Sequence, residues 1–226
     1  SVVASPASYH YRSRVDIGVY QNKSGGFFMG FMPAGRNRVV SIDSCAIARK
    51  EISDFLPQLK EEARTKLPAN YRTANLVVKT DDNGRVFWGG IGRRSLQMKE
   101  ENYLWTEVTG KRIYYSLDTF FQANLSILPF VVRKIKELAA LDPQTAFLDL
   151  YGGVGLFGIS LIEEVGKVVI VEENPVSTQI AKFNADYHQA SGKVEIYSGK
   201  VEVELPGIFE RVQSLKQVAL IDPPRA

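Results

Sequence analysis

The segment Asp149-Leu150-Tyr151-Gly152-Gly153-Val154-Gly155 joins an apolar run to a stretch with helical spacing. Its glycines let the backbone turn sharply and approach a ligand where a β-carbon would collide. Glu172 closes the next apolar run, and a carboxylate there can accept hydrogen bonds from both hydroxyls of a ribose. Asp222 closes the last run as Asp222-Pro223-Pro224-Arg225, with prolines that stiffen the turn beneath the acid. In open α/β sheets, ligands lie beyond the carboxyl ends of the strands, where the strand order reverses. All three features are predicted to stand at such ends.

Two ligand classes fit these residues. Gly153-x-Gly155-x-x-Gly158 matches the dinucleotide fingerprint, and Glu172 follows at about the 20-residue interval that fingerprint expects. That admits a nicotinamide cofactor and an oxidoreductase. A pyrophosphate, however, gains nothing from an acid just ahead of the glycines. Asp149 suits a ligand with a cationic amino-acid end, such as S-adenosylmethionine, and the Asp-Pro-Pro turn is foreign to the nicotinamide pattern. The methyl donor is the first expectation and the nicotinamide the alternative.

The elements that must position these groups fall into two patterns. Tyr9 to Tyr20, Phe27 to Met32 and Val39 to Ile42 alternate as strands. A helix from about Ile47 to Leu67 follows, capped by Asp43 or Ser44 and kinked or divided at Pro57. Strands at 75–80 and 85–90 flank the hairpin turn Asp81-Asp82-Asn83-Gly84, and Lys111 to Tyr115 is one more strand. This predicts an antiparallel α+β domain over 1–115. Over 116–226, strands at 145–151, 168–171, 194–197 and 218–221 alternate with helices at 126–141, 157–165 and 175–190. Continuous apolar strands between helices predict a parallel sheet covered on both faces. The fold class is therefore α/β: a doubly wound, Rossmann-like sheet preceded by a smaller α+β domain. Four strands make that sheet incomplete, since such sheets normally continue for about three more.

Composition narrows the class further. Hydrophobic residues form 45% and charged residues 23%, an ordinary globular balance. No stretch approaches the roughly 20 apolar residues that span a bilayer, and Ser1 to Pro6 lacks the character of a secretion signal. The one cysteine, Cys45, excludes an internal disulfide and fits a reducing, cytoplasmic setting. No metal site is expected. Residues 1–115 hold 18 Lys and Arg against 11 Asp and Glu, while 116–226 hold 10 against 14. A basic front on an acidic back points to a polyanion partner for the first part. A monomer with no membrane partner is expected.

With Phe120-Phe121-Gln122-Ala123-Asn124 added, the motif order resembles that of the RNA uracil-C5 methyltransferase family, which makes 5-methyluridine in ribosomal and transfer RNA. Ser5-Pro6 through Tyr9-x-Tyr11-Arg12-Ser13-Arg14-Val15 resembles the start of that family's central domain, so the likeness spans nearly the whole chain. The resemblance implies an S-adenosylmethionine cofactor and an RNA partner, ribosomal ahead of transfer. It further implies that Gln122, Asp149, Tyr151, Gly153, Gly155, Glu172 and Asp222 form the cofactor site, with Arg225 beside Asp222. Gly152 stands where the family commonly has cysteine, Leu156 where many members have asparagine, and Lys200 where Asp or Asn meets the adenine. A lysine cannot accept from the adenine amino group. These departures admit a non-catalytic RNA-binding relative.

Family members with an iron–sulfur cluster place its fourth cysteine near Cys45, with three others upstream. None precedes Cys45 here, so it is read as buried and structural. The family's nucleophilic cysteine and its base follow the Asp-Pro-Pro-Arg segment, beyond Ala226. This stretch alone is therefore expected to bind the methyl donor without forming 5-methyluridine, and no residue in it is assigned as catalytic.

Overall fold

A computed structural model describes residues 2–33, 35, 38–68, 70–90, 93–213 and 215–223. They form two compact units. The first holds the residues up to Leu104 together with 116–118 and 122–126. The second holds Trp105–Tyr115, 119–121 and the residues from Ile127 onward. The 105–115 stretch, which the sequence reading placed at the end of the front domain, thus packs with the second unit.

The first unit is an antiparallel sheet with one helix on one face. Strands β1 (Arg14–Gln21), β2 (Phe27–Phe31), β3 (Val40–Ser41), β4 (Thr73–Thr80) and β5 (Val86–Gly89) lie in the order β3-β2-β1-β4-β5. Val15, Ile17 and Val19 alternate toward the core, as period two requires, and meet Met29, Leu76 and Val78. Helix α1 (Lys50–Lys66) covers them with Ile52, Leu56, Leu59 and Ala63, at the i, i+4, i+7 spacing of one helical face.

Two expectations about α1 are corrected. Asp43 and Ser44 do not cap it; Arg49 precedes the helix, without a side-chain cap. Residues 46–49 stay outside the helix because they bond to the chain at 10–12, through His10 N–H to Ala46 O, Arg12 N–H to Ile47 O and Arg49 N–H to Arg12 O. Pro57 does not divide the helix either. Its ring lies on the exposed side, and the buried Leu56 and Leu59 beside it outweigh one missing backbone bond. Cys45 lies in this core, 8% exposed, and its N–H donates to Ser53 Oγ at 2.9 Å.

The second unit carries the hairpin β6 (Leu104–Val108) and β7 (Lys111–Tyr115) and a four-stranded parallel sheet. β6 escaped the sequence reading, although Thr109 and Gly110, both at positive φ, make the two-residue turn that joins it to β7. The parallel strands are β8 (Thr145–Leu150), β9 (Lys167–Glu172), β10 (Val194–Ser198) and β11 (Lys216–Ile221), in the order β10-β9-β8-β11. Helices α2 (Leu128–Ala139), α3 (Leu156–Ser160), α4 (Pro175–Tyr187) and α5 (Val201–Val212) intervene. Ala146, Leu148, Leu150, Val169 and Val171 pack against Val201, Ile208 and Val212 of α5. Among the described residues no helix is long and apolar enough to cross a membrane.

One buried cation makes the first unit testable. Lys79 on β4 is 1% exposed, and its Nζ donates to Ser116 O at 2.7 Å. Burial pushes its ammonium down to about 7, helped by Arg14 and opposed by Asp118 and Asp16. The unfolded chain keeps a lysine near ~10.4, so between those values the unfolded state holds more protons and stability rises with pH. Denaturant midpoints measured at pH 7 and pH 9 should therefore increase, and Lys79→Met should remove that increase. Equal slopes in the two proteins would refute it.

Candidate cofactor site

The parallel strands end in register. Leu150 pairs with Val171 and with Ile221, and Glu172 pairs with Ser198. Tyr151, Glu172 and Asp222 therefore leave neighbouring strands at one edge of the sheet. The strand order reverses at β8, with β9 and β10 on one side and β11 on the other, which is where such sheets hold ligands.

The turn after β8 is tightly built. Tyr151 takes φ of 60°, Gly153 56° and Gly155 81°, all left-handed. Gly155 opens α3, and a β-carbon on it would lie 2.8 Å from Ile170 Cδ1. Gly153 has nothing within 4 Å of the place its β-carbon would occupy, so its backbone faces open space. Gly152 N–H donates to Val171 O, which ties the turn back onto β9.

Acids hold this turn. Glu172 is half-buried, and its Oε2 accepts from Gly153 N–H at 3.0 Å while Oε1 accepts from Asn174 N–H at 2.8 Å. Asn174 in turn caps α4 by accepting from Val176 and Ser177 N–H, and Pro175 fills the first helical position. Asp149 is 2% exposed, and its Oδ2 accepts from Gly158 N–H at 2.8 Å. Burial pushes the Asp149 carboxyl up to about 7; the Gly158 bond opposes the rise, and the charges of Asp222 and Glu172 add to it. Of the two Asp149 carboxylate oxygens, Oδ2 is thus engaged by the amide of Gly158. Gly158 lets α3 close on the sheet, since a β-carbon there would lie 2.7 Å from Val168 Cγ1.

The remaining residues are placed less centrally. Asp222 is exposed at the end of β11, and Pro224 and Arg225 lie outside the described residues. Gln122 is half-buried in the 122–126 segment that packs with the first unit. Glu202 was missed by the sequence reading: its Oε1 accepts from the Tyr151 phenol O–H at 2.7 Å. Helix α5, which carries it, was missed as well. Pro206 and Gly207 lie within that helix and hid its periodicity, although Glu202 and Glu204 in the first turn were a helix-start signal.

No family profile matches the chain. It is 20% identical over 275 residues to an uncharacterized RNA methyltransferase of Synechocystis, covering 99% of this chain and 58% of that protein. It is 26% identical over 240 residues to the tRNA (uracil(54)-C(5))-methyltransferase of Schizosaccharomyces pombe, covering 99% of this chain and 42% of that protein. Its fold matches that of the Pyrococcus abyssi tRNA (uracil-54, C5)-methyltransferase, solved with S-adenosyl-L-homocysteine. The TM-score is 0.65 at 19% identity, over 86% of this chain and 57% of that one. The chain is thus similar to RNA methyltransferases, and it spans about half the length of the curated relatives it matches.

Two departures from the pattern of the family that the motifs resemble are explained by the local structure. A β-carbon at Gly152 would lie 2.9 Å from both Asp149 O and Ile170 Cγ2, so the turn leaves no room for a side chain. Leu156, 6% exposed, is buried at the start of α3. Lys200 is exposed at the entry to α5.

The buried Asp149 predicts a pH signature. A free aspartate titrates near ~3.9, so from there up to about 7 the folded state holds the extra proton. Stability should fall as pH rises through that window. Asp149→Asn, which keeps an acceptor for Gly158, should flatten the slope in denaturant titrations at pH 4.5 and 7; an unaltered slope contradicts the assignment. Gly158→Ala should cost about 1–3 kcal/mol in the same assay, from overpacking against Val168.

Proposed function

We propose that the second unit binds S-adenosylmethionine at the turn after β8, and that the protein transfers its methyl group to C5 of a uridine in RNA. The observation that carries the cofactor reading is the Glu172 carboxylate, seated beside the open backbone of Gly153 at the reversal of strand order. A carboxylate accepts up to about four hydrogen bonds, so Glu172 can hold Gly153 and Asn174 and still receive two ribose hydroxyls. The acidic setting of Glu172, Asp222 and Glu202 repels a diphosphate and favours a ligand with a cationic sulfonium and ammonium. The same charges weigh against a nicotinamide dinucleotide. By resemblance, Gln122, Tyr151, Gly153, Gly155 and Asp222 complete the cofactor contacts.

The methyl donor supplies an electrophilic carbon. C5 of uracil is too weak a nucleophile to take it unaided, so the reaction needs a thiolate to add at C6 and a base to remove the C5 proton. Cys45 is buried in the core of the first unit and does not serve as that thiolate. These 226 residues alone should therefore bind the donor without methylating uridine. The P. abyssi and S. pombe relatives carry transfer-RNA names, which favours transfer RNA over the ribosomal RNA first expected. The basic first unit is the proposed RNA-facing part.

Calorimetry with S-adenosylhomocysteine and with NADH separates the two cofactor classes. Binding of the first alone is expected, and Glu172→Ala should weaken it at least about tenfold through lost ribose bonds to a charged acceptor. Binding of NADH alone overturns the proposal, and RNA affinity without either cofactor identifies a non-catalytic relative. With labelled S-adenosylmethionine and uridine-containing transfer RNA, this chain should leave C5 unlabelled; label there would contradict the account of Cys45.

A further inference from the structure

Tyr151 is a bulky residue in a left-handed conformation, φ 60°, at the head of the cofactor turn. That region is costly for a residue with a β-carbon, and it persists only where surrounding contacts hold it. Tyr151 packs against the core formed by β8, β9 and α5, and its phenol O–H donates to Glu202 Oε1 at 2.7 Å. The bond keeps the Glu202 carboxyl below its ordinary range and pushes the Tyr151 phenol up.

Glu202 is well anchored for such a task. It lies in the first turn of α5, where unpaired backbone N–H groups favour an acid. Val201, Ile208 and Val212 of the same helix are buried against β8 and β9. The entry to α5 is further tied to the site by Gly199 N–H, which donates to Glu172 O at 3.0 Å. Glu202 itself is exposed, so changing it removes no core contact.

We infer that Glu202 is a positioning residue for the cofactor turn: through the Tyr151 phenol it holds the backbone at 151–153 in the conformation that accepts the ligand. Released from Glu202, Tyr151 relaxes toward negative φ, and Gly152 and Gly153 move with it. The inference rests on the cofactor reading given above and assigns a determinant of affinity that the sequence motifs omit.

The test is the affinity of the chain for S-adenosylhomocysteine, measured by calorimetry beside a thermal melt of each variant. Tyr151→Phe and Glu202→Ala should each weaken binding about five- to tenfold, the size of one net hydrogen bond, with melting temperatures lowered by no more than about 2–4 °C. The two together should weaken it no more than either alone, because both remove one interaction. Glu202→Gln keeps an acceptor and should restore most of the affinity lost in Glu202→Ala. Wild-type affinity in Glu202→Ala, additive losses in the double variant, or no rescue by glutamine would each overturn the inference. If the unaltered chain does not bind S-adenosylhomocysteine at all, the cofactor reading fails and this inference falls with it.

Discussion

A glycine-rich turn has few side chains with which to hold itself, and fixing each backbone residue costs about 1–2 kcal/mol. Carboxylates from three different elements supply the missing holds in this protein. Asp149 of β8 takes the Gly158 N–H, Glu172 of β9 takes the Gly153 N–H, and Glu202 of α5 takes the Tyr151 phenol. The turn is thereby fixed at its head, its middle and the helix that follows it. A hydrogen bond to a charged acceptor is of the same order as the cost of ordering one residue, so several fixed points are needed. The parallel order β10-β9-β8-β11 and the apolar face beneath α5 bring these three acids to one place.

The same acids define what the turn can receive. A dinucleotide-binding turn offers backbone N–H groups to a diphosphate. Here the Gly153 and Gly158 amides are already committed to carboxylates, and a further acid, Asp222, stands exposed at the end of β11. The field at the turn is negative, while the Glu172 oxygens keep acceptor capacity for hydroxyls. On the proposed reading, one carboxylate both orders the protein and grips the ligand, so the site is largely formed before the ligand arrives. The literal match of the glycine spacing to a dinucleotide fingerprint is thus outweighed by what the glycine amides touch.

Much of this was legible in the sequence, for physical reasons. β8 and β9 are largely apolar runs because both of their faces are covered, and such runs are read easily. Glu172 is legible from where β9 stops, and Asp222 from where β11 stops. Helix α1 was legible from Ile52, Leu56 and Leu59, but its start was not, since pairing of residues 46–49 with 10–12 is a long-range event invisible to local capping signals. Helix α5 was lost behind Pro206 and Gly207, whose low helix propensity is overridden by burial of Val201, Ile208 and Val212 on the sheet. With α5 went Glu202, whose importance lies in a tyrosine 51 residues away in sequence. For Asp149, the sequence could not disclose that the Gly158 amide donates to it.

The central claim is that Glu172 accepts the ribose of an adenosyl ligand while still holding the Gly153 amide. A crystal structure of the chain with S-adenosylhomocysteine bound tests it directly. The account predicts both ribose hydroxyls within hydrogen-bond distance of Glu172, and Tyr151 and Gly153 still at positive φ. A ligand seated elsewhere, or a turn refolded with Glu172 facing away from the sugar, would contradict it.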